Sequence, residues 1–193
     1  MRLSLCVLVC LSSGYLSAQN ATIEEVGKSP VVAKFASGGE VRLSLCSSGV
    51  DLVGTDDSAV RVSYFPERED VKVRIDVSGD HADVKLRGCP NNNFRARIEV
   101  PKSSAIYVRM LAGQLLVRDI IGDKDVELSF GQITLDVGRP EDYGRVDASV
   151  NSGQIDAAAF DVNKGGLFRW FDKKGPGKYR LHAHVGAGQV DLH

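Results

Sequence analysis

The sequence predicts an all-β fold, with a parallel β-solenoid-like (β-helix) C-terminal half and a mixed or antiparallel N-terminal half. Three observations carry this. Apolar and polar residues alternate with a period of two along nearly every segment, turn residues punctuate those segments at short intervals, and a strand-Gly-Gln-strand unit recurs from about residue 105 onward.

The first segment reads as a targeting leader. Met1, Arg2, an apolar run from Leu3 to Leu11 and the small-residue site Leu16-Ser17-Ala18 before Gln19 have the layout of a secretory signal peptide over 1-18. The run is about half of the roughly 20 residues that span a bilayer. Leu8-Val9 precedes Cys10 where a lipidation site needs a small residue. The expected mature chain, 19-193, is a single β-strand-repeat domain: N-terminal strands over 19-97, Gly-Gln rungs over 98-193. It is expected to be exported, to the periplasm or to the cell surface and beyond. Cys46 and Cys89 are then its only thiols, able to form one disulfide where disulfides persist or to pack as free buried cysteines. Neither belongs to a C-x-x-C pair, so no metal site and no cofactor are assigned. The formal net charge is −1 with both signs interspersed, which argues against nucleic acid as a partner.

The N-terminal strands show the alternation plainly. Val41-Arg42-Leu43-Ser44-Leu45, Val71-Lys72-Val73-Arg74-Ile75-Asp76-Val77 and Phe94-Arg95-Ala96-Arg97-Ile98-Glu99-Val100 each put apolar side chains on one face. Turn signals at Gly38-Gly39, Ser48-Gly49, Ser78-Gly79, Cys89-Pro90 and Pro101-Lys102 separate them.

The repeat units follow. Gly-Gln recurs at Gly113-Gln114, Gly131-Gln132, Gly153-Gln154 and Gly188-Gln189, at spacings of 18, 22 and 35. Three residues before the glycines stand Met110, Leu128, Val150 and Val185; two residues after them stand Leu115, Ile133, Ile155 and Val190. Apolar positions are therefore odd offsets before the glycine and even offsets after it. A flat strand cannot change register this way, but a strand with a corner or bulge at the glycine can. Such rungs cannot bury an apolar face alone and are expected to stack, with the four glutamines forming an amide ladder.

The long last spacing holds an excursion near 163-178 in which Phe168, Arg169, Trp170, Phe171, Lys173 and Lys174 cluster. It reads either as a flap covering an open edge or as an aromatic, basic binding patch. The patch reading suits an envelope glycan, a membrane surface or an envelope protein.

Ile98-Glu99-Val100-Pro101-Lys102-Ser103-Ser104-Ala105-Ile106-Tyr107-Val108 followed by the Gly-Gln rungs, best matched by Ser152-Gly153-Gln154-Ile155-Asp156-Ala157 and Ala187-Gly188-Gln189-Val190-Asp191-Leu192, resembles a family of bacterial exported domains built from repeated β-strands. This domain of unknown function is also called an adhesin or "toast-rack" domain. The resemblance covers roughly 95 to 193 and implies a parallel, right-handed solenoid-like fold and an adhesion-like or stress-sensing role in the envelope. It brings no catalytic residues. Phe130, where a small residue is usual before the glycine, and the length of the excursion depart from the family pattern.

The candidate chemistry lies in outward columns. Asp125 and Asp147 fall at equivalent positions, so adjacent rungs in register would bring them together as a paired-carboxylate site for a carbohydrate-active enzyme. The same residues also read as part of a solvated polar face, with Arg109 and Glu127 paired across rungs. His182 and His184 share one strand face, and His193 could join them only if its terminal backbone were held. The function expected is therefore non-enzymatic binding or scaffolding in the cell envelope, adhesin-like, with the glycoside hydrolase or lyase as the competing reading.

Overall fold

Each alternating segment forms one arm of a bent rung, and the rungs stand side by side. The computed structural model describes residues 20–36, 38–90 and 93–193; the leader reading lies outside the described residues. In the N-terminal half a rung takes two strands. β1 (Asn20–Val26) joins β2 (Val31–Lys34), β3 (Glu40–Leu45) joins β4 (Ser48–Thr55), β5 (Ala59–Phe65) joins β6 (Lys72–Ser78), and β7 (His81–Arg87) joins β8 (Arg95–Pro101). In the C-terminal half one long strand makes both arms: β9 (Ala105–Arg118), β10 (Lys124–Leu135), β11 (Tyr143–Ala157), β12 (Val162–Lys174) and β13 (Tyr179–Leu192).

The pairing defines two walls. β1, β6, β7 and β3 lead to the first arm of β9, while β2, β5, β8 and β4 lead to its second arm. Beyond β9 both walls continue through β10, β13, β11 and β12. Buried side chains of both arms, such as Val108 and Leu115 of β9 or Val126 and Ile133 of β10, belong to one core cluster between the walls. The change of apolar register at each Gly-Gln is thus a corner that keeps the apolar face inside on both arms.

Glycine is required at these corners for two reasons. Gly113, Gly131, Gly153 and Gly188 have φ of 131°, 123°, 140° and 146°, a region that side chains disfavour. A Cβ on Gly113 would also lie 2.0 Å from the Ser48 carbonyl oxygen. On Gly131 it would lie 1.9 Å from that of Gly113, and on Gly188 1.8 Å from that of Gly131. The corners therefore nest backbone on backbone.

The stack does not coil into a β-helix. The sheet is open and mixed: β9, β10, β13 and β11 are parallel neighbours in that order, and β12 returns antiparallel along β11. A solenoid would place its rungs in chain order, whereas here β13, the last strand, fills a one-rung gap between β10 and β11. The excursion is β12 itself, the edge strand of both walls at this end. Its Phe171 is buried against Phe160, with ring centroids 5.5 Å apart. Arg169 and Lys173 lie opposite the inward residues Val150 and Val146, and inward charges on an edge strand discourage pairing with another sheet.

Two further features lie inside the stack. Cys46, after β3, and Cys89, after β7, form a disulfide across the corners of neighbouring rungs, with Cα atoms 5.9 Å apart. Lys124 is buried in a column otherwise made of Val41, Ile106, Leu181 and Val146. Its ammonium donates to the Tyr143 hydroxyl and lies 5.0 Å from that ring's centroid. Burial draws the Lys124 pKa down to about 8, with Asp136, Asp123 and Asp142 opposing, and burial pushes the Tyr143 phenol up.

Candidate functional site

The outer face of the first wall collects the polar residues singled out in the sequence, because every second residue of each first arm points away from the core. Cross-strand register sorts them into two rows. One row runs Arg42, Tyr107, Asp125, His182, Asp147 and Asp172. The other runs Ser44, Arg109, Glu127, His184, Ser149 and Trp170.

Asp125 and Asp147 are not neighbours, since the insertion of β13 puts His182 between them. A His182 ring N–H donates to Asp147, and the other ring nitrogen lies 3.8 Å from Glu127. Arg109 donates to Asp125 at 2.7 Å and stands 3.2 Å from Glu127, which is the cross-rung pairing expected of a polar face. His182 therefore stands between the two aspartates in the row, and they do not form the adjacent carboxylate pair expected of neighbouring rungs. His184 shares a 2.8 Å hydrogen bond with Ser149. That contact resembles part of a nucleophile–base pair, but no carboxylate is hydrogen-bonded to His184 among the described residues.

Asp125, Glu127 and His182 bring their ligating atoms within 4.8 Å of one another, so a cation of suitable size could be held there. Arg109 already supplies positive charge to both carboxylates. His193 takes no part: its backbone is held by Leu135 and Val137 at the far end of the second wall.

The glutamines line the corner in the order Gln114, Gln132, Gln189, Gln154. Instead of an amide ladder, Gln132 and Gln189 both donate to Asp191 at 2.6 Å, and Gln154 donates to Asn163 at 3.2 Å. A carboxylate is the stronger acceptor, and it stands two residues beyond Gln189 on the same outward face.

The residues of the predicted patch divide. Phe168 and Trp170 are 69% and 68% exposed, whereas Phe171 is core. Arg169 donates to its own chain at Gly165, and Lys173 lies over the Phe160 ring. Lys174 is exposed opposite Arg145. Sequence reasoning missed Leu167 and Leu111, which are 64% and 62% exposed, and treated Phe130 only as a departure from pattern. Leu111 and Phe130, on neighbouring β9 and β10, and Leu167, Phe168 and Trp170, on β12, stand at the corner end of the first wall with β13 and β11 between the two groups. Leu111 and Phe130 stand two and one residues before their glycines, a signal open to sequence reasoning, whereas the placement of Leu167, Phe168 and Trp170 follows only from the antiparallel pairing of β12 with β11.

Between these side chains and the second polar row runs a groove. Ser129, Gly186 and Asn151 line it across the rungs, with Leu111 ending the row on β9, Phe130 toward the corner and Arg109, Glu127 and His184 away from it.

No protein-family model matches the sequence, and no curated protein matches it. Two solved structures are similar to it. One is a candidate cell adhesion protein from Clostridium sporogenes, 12% identical with a TM-score of 0.52, the likeness covering 89% of this chain and 99% of that one. The other is a candidate adhesin from Bacteroides fragilis, 7% identical with a TM-score of 0.33, covering 86% and 98%. At these identities the likeness is one of fold, and the first of them shows that this chain has the overall strand-rich architecture of a protein described as adhesive.

Proposed function

We propose that the protein is a non-enzymatic, exported cell-envelope protein, adhesin-like, that holds its target on the outer face of the first wall beside β12. The observation that carries the reading is the apolar set Leu111, Phe130, Leu167, Phe168 and Trp170. These side chains are 57–69% exposed and stand at the corner end of the first wall, Leu111 and Phe130 on β9 and β10 and the other three on β12, on either side of β13 and β11. Large exposed apolar groups rimmed by polar ones mark contact surfaces. Beside them, Lys164 donates to the Trp170 carbonyl at 3.1 Å and Arg145 pairs with Asp172 at 2.9 Å, so the polar groups around β12 are largely paired within the chain. The Cys46–Cys89 disulfide suits the periplasm or the cell exterior, where such bonds persist. The fold shared with a candidate cell adhesion protein is in keeping with this role.

Co-sedimentation with peptidoglycan sacculi and with anionic vesicles tests the proposal, followed by the fluorescence of Trp170, the lone tryptophan. Binding should saturate with a blue shift of emission. The Phe168→Ala/Trp170→Ala double variant should weaken it at least tenfold, or about 1.4 kcal/mol, without moving the unfolding transition. Absence of binding to either material would refute the proposal.

A further inference from the structure

We propose that the groove lined by Ser129, Gly186 and Asn151 is a binding site for an uncharged, linear polysaccharide segment laid across the rungs. This rests on the adhesion reading above and names the class of its ligand.

The argument starts from charge. Arg109, the cation on the groove, is already taken up by two carboxylates, Asp125 at 2.7 Å and Glu127 at 3.2 Å. A groove built for phosphate or a lipid headgroup would keep its cation free. What remains for a ligand is hydrogen-bonding capacity without a free cation. Asn151 offers an amide, Ser129 a hydroxyl, and the Arg109, Glu127 and His184 side chains offer edges that donate or accept. Phe130 gives the corner side an apolar border and Leu111 an apolar end on β9, 57% and 62% exposed. A pyranose has the matching chemistry, with C–H faces for apolar contact and hydroxyls around its rim for fixed polar groups.

Shape supports the same class. The groove has a volume of about 700 Å³. It crosses β9, β10, β13 and β11, and the register sets Phe168 opposite the Asn151 position and Trp170 opposite Ser149. Leu111 on β9 and Phe168 on β12 close its two ends, and rungs about 4.8 Å apart give the open floor across β10, β13 and β11 a length of roughly 10 Å. A line of similar subsites suits a polymer of similar units better than a compact ligand. The small residues Ser129 and Gly186 keep its middle open. At Gly186 a side chain is excluded by the fold itself, because a Cβ would lie 2.5 Å from the Ser129 carbonyl oxygen.

The test titrates the full-length protein with chitooligosaccharides, cello-oligosaccharides and mannan fragments of increasing length, with phosphatidylglycerol vesicles as a separate arm. Expected is saturable binding of at least one series, with Kd below about 1 mM and tightening as the chain lengthens. Amide shifts should concentrate at Leu111, Ser129, Phe130, Asn151 and His184 in the unaltered protein. Ser129→Trp, which fills the groove at an exposed position, and Phe130→Ala should each weaken binding at least tenfold while sparing the fold. No binding of any series, or shifts away from these residues, would overturn the inference. Should sacculi or vesicles still bind the protein, and Ser129→Trp leave that binding unchanged, the adhesion reading would stand and the groove assignment alone would fail. Failure of every material would remove both.

Discussion

The N-terminal and C-terminal halves build the same bent rung in different ways. From β1 to β8 each rung is two strands joined by an irregular corner, and one pair of corners is stapled by Cys46–Cys89. From β9 to β13 each rung is one strand, and in all but β12 the corner is a Gly-Gln step. A positive-φ glycine lets the chain turn without a loop, so consecutive corners can nest. The N-terminal corners tolerate more varied residues but leave longer segments to be held by other means. The difference shows that the packed arm, not the corner, is the conserved unit of this architecture, and that corner chemistry decides how each rung fails.

The largest expected effect is at a nested glycine. Gly188→Ala would drive a Cβ to 1.8 Å from the Gly131 carbonyl oxygen at a φ of 146°, so the variant should lose more than about 4 kcal/mol or fail to fold. Gly49→Ala in β4 is the matched control from the other half. Its Cβ would find Arg95 at 3.6 Å, an ordinary contact, and urea unfolding should move by less than about 1 kcal/mol. Equal effects at both sites would break the distinction between corner types.

Next comes the staple. The bridge closes a separation of 43 residues, for which loop entropy gives about 4 kcal/mol. Cys46→Ala/Cys89→Ala should approach that loss. Hydrogen exchange should rise first in β3, β4, β7 and β8, leaving β11 to β13 protected. Uniform loosening would mean that the halves unfold as one unit.

A smaller effect separates the halves by pH. The column that is Val41 in β3 and Ile106 in β9 holds Lys124 in β10. With a native pKa near 8 against 10.5 for the free side chain, the unfolded chain binds an extra proton between those values. Stability should therefore climb as pH rises from about 8 toward 10.5, by on the order of 3 kcal/mol at most. The raised Tyr143 pKa acts oppositely above about pH 10, where an unfolded tyrosine ionises first. Lys124→Met/Tyr143→Phe should flatten this slope in unfolding measured across the range. An unchanged slope would place its origin elsewhere.

Much of this was legible in the residues. The alternation around Leu43, Ile75 and Ile98 located the N-terminal strands, and the change of apolar parity around Gly113, Gly131, Gly153 and Gly188 located the corners. Both are local, because strand periodicity and glycine's backbone freedom act within a few residues. Pairing Arg109 with Glu127 also succeeded, since β9 and β10 are neighbours in chain and in space. Phe171, expected on a binding surface, is buried because the register of β12 sets it opposite the inward Ala148 and turns its ring toward Phe160.

The sequence by itself thus determined the rungs: their length, their inner face and the residue at which each one turns. Only the tertiary structure decided their order. β9, β10, β11 and β13 offer nearly the same apolar face and the same Gly-Gln corner, so local pattern cannot distinguish stacking in chain order from the insertion of β13 between β10 and β11. That choice rests on which arms pack and nest together across many residues. It sets His182 between Asp125 and Asp147 and lines up Ser129, Gly186 and Asn151 as one groove.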